Sequence, residues 1–360
     1  MLCGAILVQN LQFIIDNFFD RYDRFTVEIL KGGNINLSYH LLIYVDNQKE
    51  DYVLQKINGR VFENTKEVIE NASLILDWIK SPYLEYKKTI DNKNYYVDQN
   101  GEYWRVYTFV KNSTSYDCSD NLYLIEQTGY AFGDFFKKLN DFDYKKLNIT
   151  IVDFHNTTRR FSQLADSVFV NYERFTEIQE DYKQLMSFKK DSLILDELLA
   201  QKKLPIRTVH NDTKLSNVLF DKDSLRFIAV VDLDTVMPGI LAHDFGDGAR
   251  SVCASHKEDY IDFDSIYFDL NKFYYYTKGF ALNLKNILSE IEKKSLYLGV
   301  FTITAELCAR FMTDYLLNDI YFKIDYPTHN KVRYKNQLAL LKDVYKKEKI
   351  IKEITYNLLY

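Results

Sequence analysis

The stretch VHNDTKLSNVLF, from Val209 to Phe220, crowds His210, Asn211, Asp212, Lys214 and Asn217 between apolar residues of core type. A carboxylate at Asp212 can orient a substrate hydroxyl, and the Asn217 amide oxygen, five residues on, can bind a metal. Phosphoryl transfer asks for that combination, because its transition state needs positioning and charge neutralisation more than covalent help. Asp232 follows at the end of the apolar run FIAVV, and the period of two in a strand predicts Asp234 on the same side. Two carboxylates there suggest a divalent ion. Mg²⁺ commonly takes only one or two carboxylates beside phosphate oxygens and water, which suits Asn217 and Asp232. Asn and Asp are also ordinary turn formers, so the pattern gains its weight from context.

That context begins with size. The chain has 360 residues, which exceeds a comfortable single core and predicts two lobes. A hydrophobic fraction of 47% with only 4 Pro and 12 Gly indicates a packed globular protein. The formal charge of -5 is mild and no dense Lys/Arg stripe occurs, which argues against nucleic acid or an anionic membrane as main partner. A small-molecule substrate is the better expectation. Cys3, Cys118, Cys253 and Cys308 are widely spaced with no C-x-x-C pair, so reduced core cysteines and a cytoplasmic location are expected. The apolar opening lacks a basic leader, and Gln9, Asn10 and Asp16 interrupt it; an amphipathic helix over residues 9–20 is expected instead of a membrane span.

Elements that must carry the loop follow from periodicity. Three runs rich in Val, Ile, Leu, Tyr and Thr between residues 25 and 57 are separated by polar turns at Gly32, Gly33, Asn34 and Asn47, as in an antiparallel sheet. Asn64 can cap a helix in which Val68, Ala72 and Leu76 recur before Pro82. Strand-like runs at 94–98 and 103–110 flank Asn100-Gly101, a good hairpin turn. From Leu122 onward the spacing is mostly helical, broken by the polar loop and by RFIAVVDLDTVMPG. The boundary between lobes is placed at residue 110, giving 1–110 as nucleotide-binding lobe and 111–360 as catalytic and substrate-binding lobe.

VHNDTKLSNVLF followed by VVDLDTVMPGILAHDFGD resembles the catalytic-loop motif and metal-binding aspartate of the aminoglycoside phosphotransferase and choline kinase superfamily. Within it the wording is most similar to the N-acetylhexosamine 1-kinases, through YVLQKIN, WRVYTFVKN, DFHNTTRRF and ARFMTDYLLNDIYFK, over about residues 28–325. The resemblance implies an α+β, two-lobed, protein-kinase-like fold. A small N-terminal lobe would hold an antiparallel sheet and one packed helix, and a larger C-terminal lobe would be mainly helical. It implies ATP and Mg²⁺ as cofactors, Asp212 as catalytic aspartate, and Asn217 and Asp232 as metal ligands. Lys56 would contact the α and β phosphates with Glu70, or its neighbour Glu67, as carboxylate partner. Gly33, with Gly32, would turn over the nucleotide, and backbone near Phe109 and Val110 would meet adenine. Arg310 and Tyr321 would contact the sugar, while His210 and Asp244 would be structural. Many relatives have glycine where Asn211 stands, and Asn tolerates left-handed backbone better than most residues.

The reading is therefore an ATP-dependent sugar 1-kinase. A kinase for another small alcohol, such as an aminoglycoside, choline or a different sugar, is the alternative, because this fold keeps its nucleotide machinery while the acceptor pocket varies. Choline would ask for an aromatic cage, for which 29 Tyr and 25 Phe provide material that core filling also explains. For Arg310, salt bridges to Glu306 or Asp314 at helical spacing are the competing explanation. A nucleotide-binding pseudokinase is the third reading, disfavoured because Lys56, Asp212, Asn217 and Asp232 all stand.

Overall fold

The computed structural model describes residues 11–30 and 35–360, and its contacts divide the chain into two compact units. The first comprises Met1–Ser113 with two later stretches, Lys145–Ile151 and Asp232–Met237; the second comprises Thr114–Tyr144, Val152–Val231 and Pro238–Tyr360. Gly32, Gly33 and Cys3 lie outside the described residues.

The first unit is built on an antiparallel sheet of β1 (Arg24–Ile29), β2 (Leu37–Val45), β3 (Gln48–Lys56), β4 (Tyr86–Lys87), β5 (Tyr96–Val97) and β6 (Tyr103–Thr108), in the order β1-β2-β3-β6-β4 with β5 on β6. Alternation sorts its side chains. Tyr39, Leu41 and Ile43 of β2, Leu54 of β3, and Trp104 and Val106 of β6 pack with Leu11, Ile14, Ile15, Phe18 and Phe19. The latter come from a helix, α1, described over residues 11–15, and the turn after it; the helix expected over 9–20 ends at residue 15, where the chain passes into a turn. On the other face, Ile57 just beyond β3 packs with Phe62 and with Val68 and Ile69 of α2 (Thr65–Ile79). The sheet is thus covered on both faces, by α1 on one and α2 on the other. Asp98 Oδ1 accepts the backbone N–H groups of Asn100 and Glu102, closing the expected hairpin.

The second unit is mainly helical. After β7 (Ser113–Thr114), where the chain passes from one unit to the next, come α3 (Leu122–Lys138), α4 (Thr157–Ser167), α5 (Tyr172–Ser187), α6 (Lys189–Ser192) and α7 (Ile194–Ala200). Short strands β8 (Arg207–Val209), β9 (Val218–Asp221), β10 (Phe227–Val230) and β11 (Met237–Gly239) bracket the polar loop, and α8 (Leu241–Cys253), α9 (Leu270–Leu284), α10 (Glu290–Leu316) and α11 (His329–Leu359) complete the chain. α10 is long and apolar enough to cross a bilayer, yet 72% of that window is buried, as befits a core helix. Cys253 and Cys308 are free and buried; Cys118 is free but exposed, contrary to the expected core position, because its segment runs along the surface before α3.

The placement of α8 depends on a glycine contact. A Cβ on Gly299 of α10 would lie 1.7 Å from the Ala242 carbonyl oxygen, and one on Gly246 of α8 would lie 2.1 Å from the Gly299 carbonyl carbon. Backbone meets backbone here, so neither helix can accept a methyl group without shifting. Gly299→Ala gains about 1 kcal/mol of helix propensity, but overpacking a close crossing costs about 1–3 kcal/mol. With a backbone carbonyl as the obstacle the cost should win. The expected outcome is a lower Tm by differential scanning calorimetry, together with reduced turnover, because α8 carries residues that hold the catalytic loop.

Candidate active site

The loop after β8 is laid on the first turns of α8. Asp244, fully buried, accepts the His210 N–H at Oδ2 (2.5 Å) and the Asn211 N–H at Oδ1 (2.9 Å). One turn on, Asp247 accepts the Thr213 N–H at 3.0 Å, and the Thr213 hydroxyl donates to the Asp244 carbonyl at 2.5 Å. Burial pushes the Asp244 carboxyl up to about 7 against the opposing pull of these backbone donors. His210 is equally buried, between Phe132 and Phe135, and its Nε2 lies 3.0 Å from the Val231 carbonyl. A carbonyl only accepts, so Nε2 carries the proton and Nδ1 receives the Asp212 N–H at 3.3 Å. Burial lowers the His210 pKa and keeps the ring neutral. Both residues are braces, as expected. Asn211 has φ 64°, the left-handed backbone for which an Asn is suited in place of Gly.

That brace fixes Asp212. Its Oδ2 receives Lys214 Nζ at 2.7 Å and Asn217 Nδ2 at 2.9 Å, and Asn217 Nδ2 also donates to the Asp212 carbonyl at 2.8 Å. Burial would raise the Asp212 pKa, but the Lys214 charge, aided by the Asn217 hydrogen bond, brings it below the ordinary carboxylate value. The carboxylate is therefore ionised at neutral pH and can orient a hydroxyl or take its proton. Lys214 received no role from the sequence beyond membership of the loop; its spacing of two from Asp212 was the available signal. The Asn217 amide nitrogen is spent on Asp212, which leaves its oxygen as the group able to meet a cation. Asn217 ends a short 3-10 turn, and its carbonyl accepts the N–H of Val231, the residue before Asp232.

In the first unit, Asp232 adopts left-handed backbone (φ 62°), and the chain makes a 3-10 turn over Leu233–Thr235. The strand ends at Val230, so the period of two does not extend to Asp234. Instead, Asp234 is buried against Arg105 of β6, which donates from Nη1 to Oδ1 at 2.6 Å and from Nη2 to Oδ2 at 3.0 Å; Asn36 adds a third bond at 2.6 Å. The expected second metal carboxylate is therefore occupied by a guanidinium. Among the described residues no group of three or more His, Cys, Asp or Glu is arranged to hold a metal. Asp232 in the first unit and the Asn217 amide oxygen in the second are each hard donors, of the kind Mg²⁺ takes beside water and phosphate oxygen.

Lys56 does not meet Glu70. Its Nζ lies 3.0 Å from Glu102, and Glu70 lies 3.5 Å from Lys66 one turn earlier on α2. Parity explains this: Lys56 pairs with Trp104 in register and shares the α1 face with Leu54, whereas α2 covers the opposite face. The inward polar residue of α2 is Asn71, whose Nδ2 donates to the carbonyls of Asn148 (2.8 Å) and Val236 (3.1 Å). At the end of β6, the Phe109 N–H is used by the Asp51 carbonyl and the Val110 carbonyl accepts from Ser113. The Phe109 C=O and Val110 N–H make no backbone bond among the described residues, the groups an adenine edge needs.

Arg310 lies on α10 with its guanidinium 5.3 Å from the Phe154 ring, 5.5 Å from Phe322 and 5.9 Å from Tyr321. The competing salt bridges are absent among the described residues. Glu306 is held by His155 Nδ1 (3.0 Å) and the Thr157 hydroxyl (3.0 Å), and Asp314 by the N–H groups of Tyr321 (2.8 Å) and Phe322 (2.9 Å) and by Asn330 (2.8 Å). Burial opposes ionisation of Glu306, but His155 outweighs it and holds the carboxyl at about 2. Arg160 has its pKa lowered by burial and by Arg310 beside it, and its Nε is a buried donor without a protein partner. His243 Nε2 is another buried polar atom without a protein partner among the described residues. The same His155 reaches the Asn211 carbonyl at 3.4 Å, so this cationic, aromatic cluster adjoins the catalytic loop.

A braced, ionised aspartate and an amide oxygen five residues on, in an α+β chain with an antiparallel sheet before a helical unit, define a kinase-like phosphotransferase. The chain belongs to the phosphotransferase enzyme family, whose model matches residues 26–269. It is similar in fold to a microcompartment-associated aminopropanol kinase (14% identity, TM-score 0.63, covering 95% of this chain and 98% of that one). An ethanolamine kinase from Plasmodium vivax (15%, TM-score 0.58, 91% and 85%) and a spectinomycin phosphotransferase in complex with ADP and spectinomycin (12%, TM-score 0.54, 97% and 98%) are also similar.

Replacing Lys214 tests the electrostatics of the loop. Lys214→Met removes the cation that lowers the Asp212 pKa, so the acid limb of the kcat/KM profile should move to higher pH. A limb at the wild-type position in a folded variant would show that another group controls it.

Proposed function

We propose that this protein transfers the γ-phosphoryl group of ATP to the anomeric hydroxyl of an N-acetylhexosamine, giving the sugar 1-phosphate. The observation that carries the acceptor assignment is the Arg310 guanidinium, which has aromatic neighbours and, among the described residues, no ion pair with a carboxylate. With Arg160 beside it, the acceptor side is cationic, and the carboxylates nearest in sequence, Glu306 and Asp314, are already engaged. An ammonium-bearing alcohol such as choline, ethanolamine or an aminoglycoside would meet repulsion there. A neutral, oxygen-rich sugar instead offers ring and acyl oxygens to forked donors, and the exposed Tyr321 ring offers a face for its C–H groups.

Asp212 orients the anomeric hydroxyl and accepts its proton as the O–P bond forms; an anomeric hydroxyl is more acidic than a secondary ring hydroxyl, so an ordinary or lowered carboxylate is an adequate partner. Lys214, bonded to Asp212, holds that carboxylate ionised. Asp232 and the Asn217 oxygen are the donors that would hold Mg²⁺, whose charge would offset that of the phosphates. Phe109 and Val110 present backbone groups to adenine. Lys56 and Glu70, each in another ion pair and on opposite sides of the sheet, do not support the nucleotide-side pair that the resemblance implies, and Gly33 keeps its place over the nucleotide on the resemblance alone.

A coupled ADP-release assay over GlcNAc, GalNAc, glucose, galactose, choline, ethanolamine and kanamycin tests the acceptor. Turnover of the N-acetylhexosamines with phosphorus coupled to the anomeric proton in NMR is expected; turnover of the amino alcohols alone would overturn the assignment. Asp212→Asn should keep ATP binding and lose about two orders of magnitude or more in kcat. Arg310→Gln should raise the sugar KM about tenfold with a smaller effect on kcat, because an anchor distant from the transferred group grips ground and transition states alike.

A further inference from the structure

We infer that Arg105 is a positioning residue for the metal-binding turn, acting through Asp234 to hold Asp232 in its left-handed conformation. This rests on the reading of Asp232 as a metal ligand.

A guanidinium has five N–H donors in a fixed fork, and at Arg105 the bonds account for all of them. Nε and Nη2 donate to Gln55 Oε1 at 2.8 and 2.5 Å, Nη1 and Nη2 to the two Asp234 oxygens, and Nη1 to the Tyr86 hydroxyl at 3.0 Å. Arg105 thus has nothing left for a nucleotide phosphate. Its partners lie on β3, on β4 and in the turn, so one side chain ties the sheet to residues 233–235. Asn36 holds the same carboxylate from just before β2, and Asn71 of α2 holds the Val236 carbonyl.

Asp232 needs such fastening. Its φ of 62° is costly for a residue bearing a Cβ, and such conformations persist where the surroundings over-determine them. On its N-terminal side, Val231 is fixed at both polar atoms, by the Asn217 carbonyl and by His210 Nε2. On its C-terminal side the first side-chain anchor is Asp234. Loss of that anchor frees the turn to relax toward right-handed backbone, which re-aims the Asp232 carboxylate. Partners that orient a metal ligand from outside the coordination shell are typically worth 10- to 100-fold in metal affinity.

The test is Mn²⁺ binding to the full chain with ADP, titrated by electron paramagnetic resonance, beside thermal melts. Arg105→Gln and Asp234→Asn should each weaken Mn²⁺ about tenfold and lower Tm, since each leaves a buried group unpaired. The double variant R105Q/D234N removes both charges, so its Tm should recover while Mn²⁺ binding stays weak. A purely structural pair would instead restore metal affinity with Tm, and that result, or wild-type Mn²⁺ binding in folded single variants, overturns the proposal. Asp232→Ala separates the two readings. If it weakens Mn²⁺ and the Arg105 and Asp234 variants do not, only the positioning role falls; if it leaves Mn²⁺ unchanged, the metal assignment falls and the positioning role with it.

Discussion

The geometry of the active loop depends on one buried carboxylate. An irregular loop in a protein interior exposes backbone N–H groups that no strand or helix will satisfy, and Asp244 accepts two consecutive ones, from His210 and Asn211. That pairing permits the left-handed turn at Asn211, the residue before Asp212. Asp247 repeats the device one helical turn later at Thr213. α8 is therefore a template for the loop, and its own place is set by the glycine contact with α10. A helix-packing distance thus becomes the position of a reactive carboxylate.

Two aspartates on neighbouring elements are pushed in opposite directions by what surrounds them. Asp244 sits where burial dominates, and its pKa rises to about 7; Asp212 feels burial too, but Lys214 outweighs it and the pKa falls. The same residue type serves as brace in one place and, on the proposed reading, as charged reactant in the other. Nothing in the side chain itself makes the distinction.

Much of this was legible because it is local. The polar loop, the three strands before residue 57, the helix after Asn64 and the tolerance of Asn211 for left-handed backbone follow from patterns a few residues long. Parity defeated the Lys56–Glu70 pair: a strand presents alternate residues to opposite faces, and only the assembled sheet shows that α1 covers the Lys56 side. The return of Lys145–Ile151 and Asp232–Met237 to the first unit depends on partners far away in sequence, such as Asn71 with Asn148 and Val236. The Arg105–Asp234 pair spans 129 positions, yet it left a trace. An arginine on the buried face of the strand-like run YWRVYTFV needs acceptors to offset its charge, and DLDT supplies one.

The acceptor side shows how a shared catalytic apparatus can take different alcohols. The loop acts on a hydroxyl and is indifferent to the rest of the molecule, so selectivity must come from charges farther along the acceptor. Here Arg160 is held close to Arg310 at the cost of a lowered pKa, and one of its donors is buried without a protein partner. A ligand that brings acceptor oxygens relieves both penalties at once, whereas an ammonium adds a third positive charge to them. On the proposed reading, discrimination against amino alcohols arises from the positive charges of Arg160 and Arg310, and the sugar is favoured because its oxygens can accept from their donors.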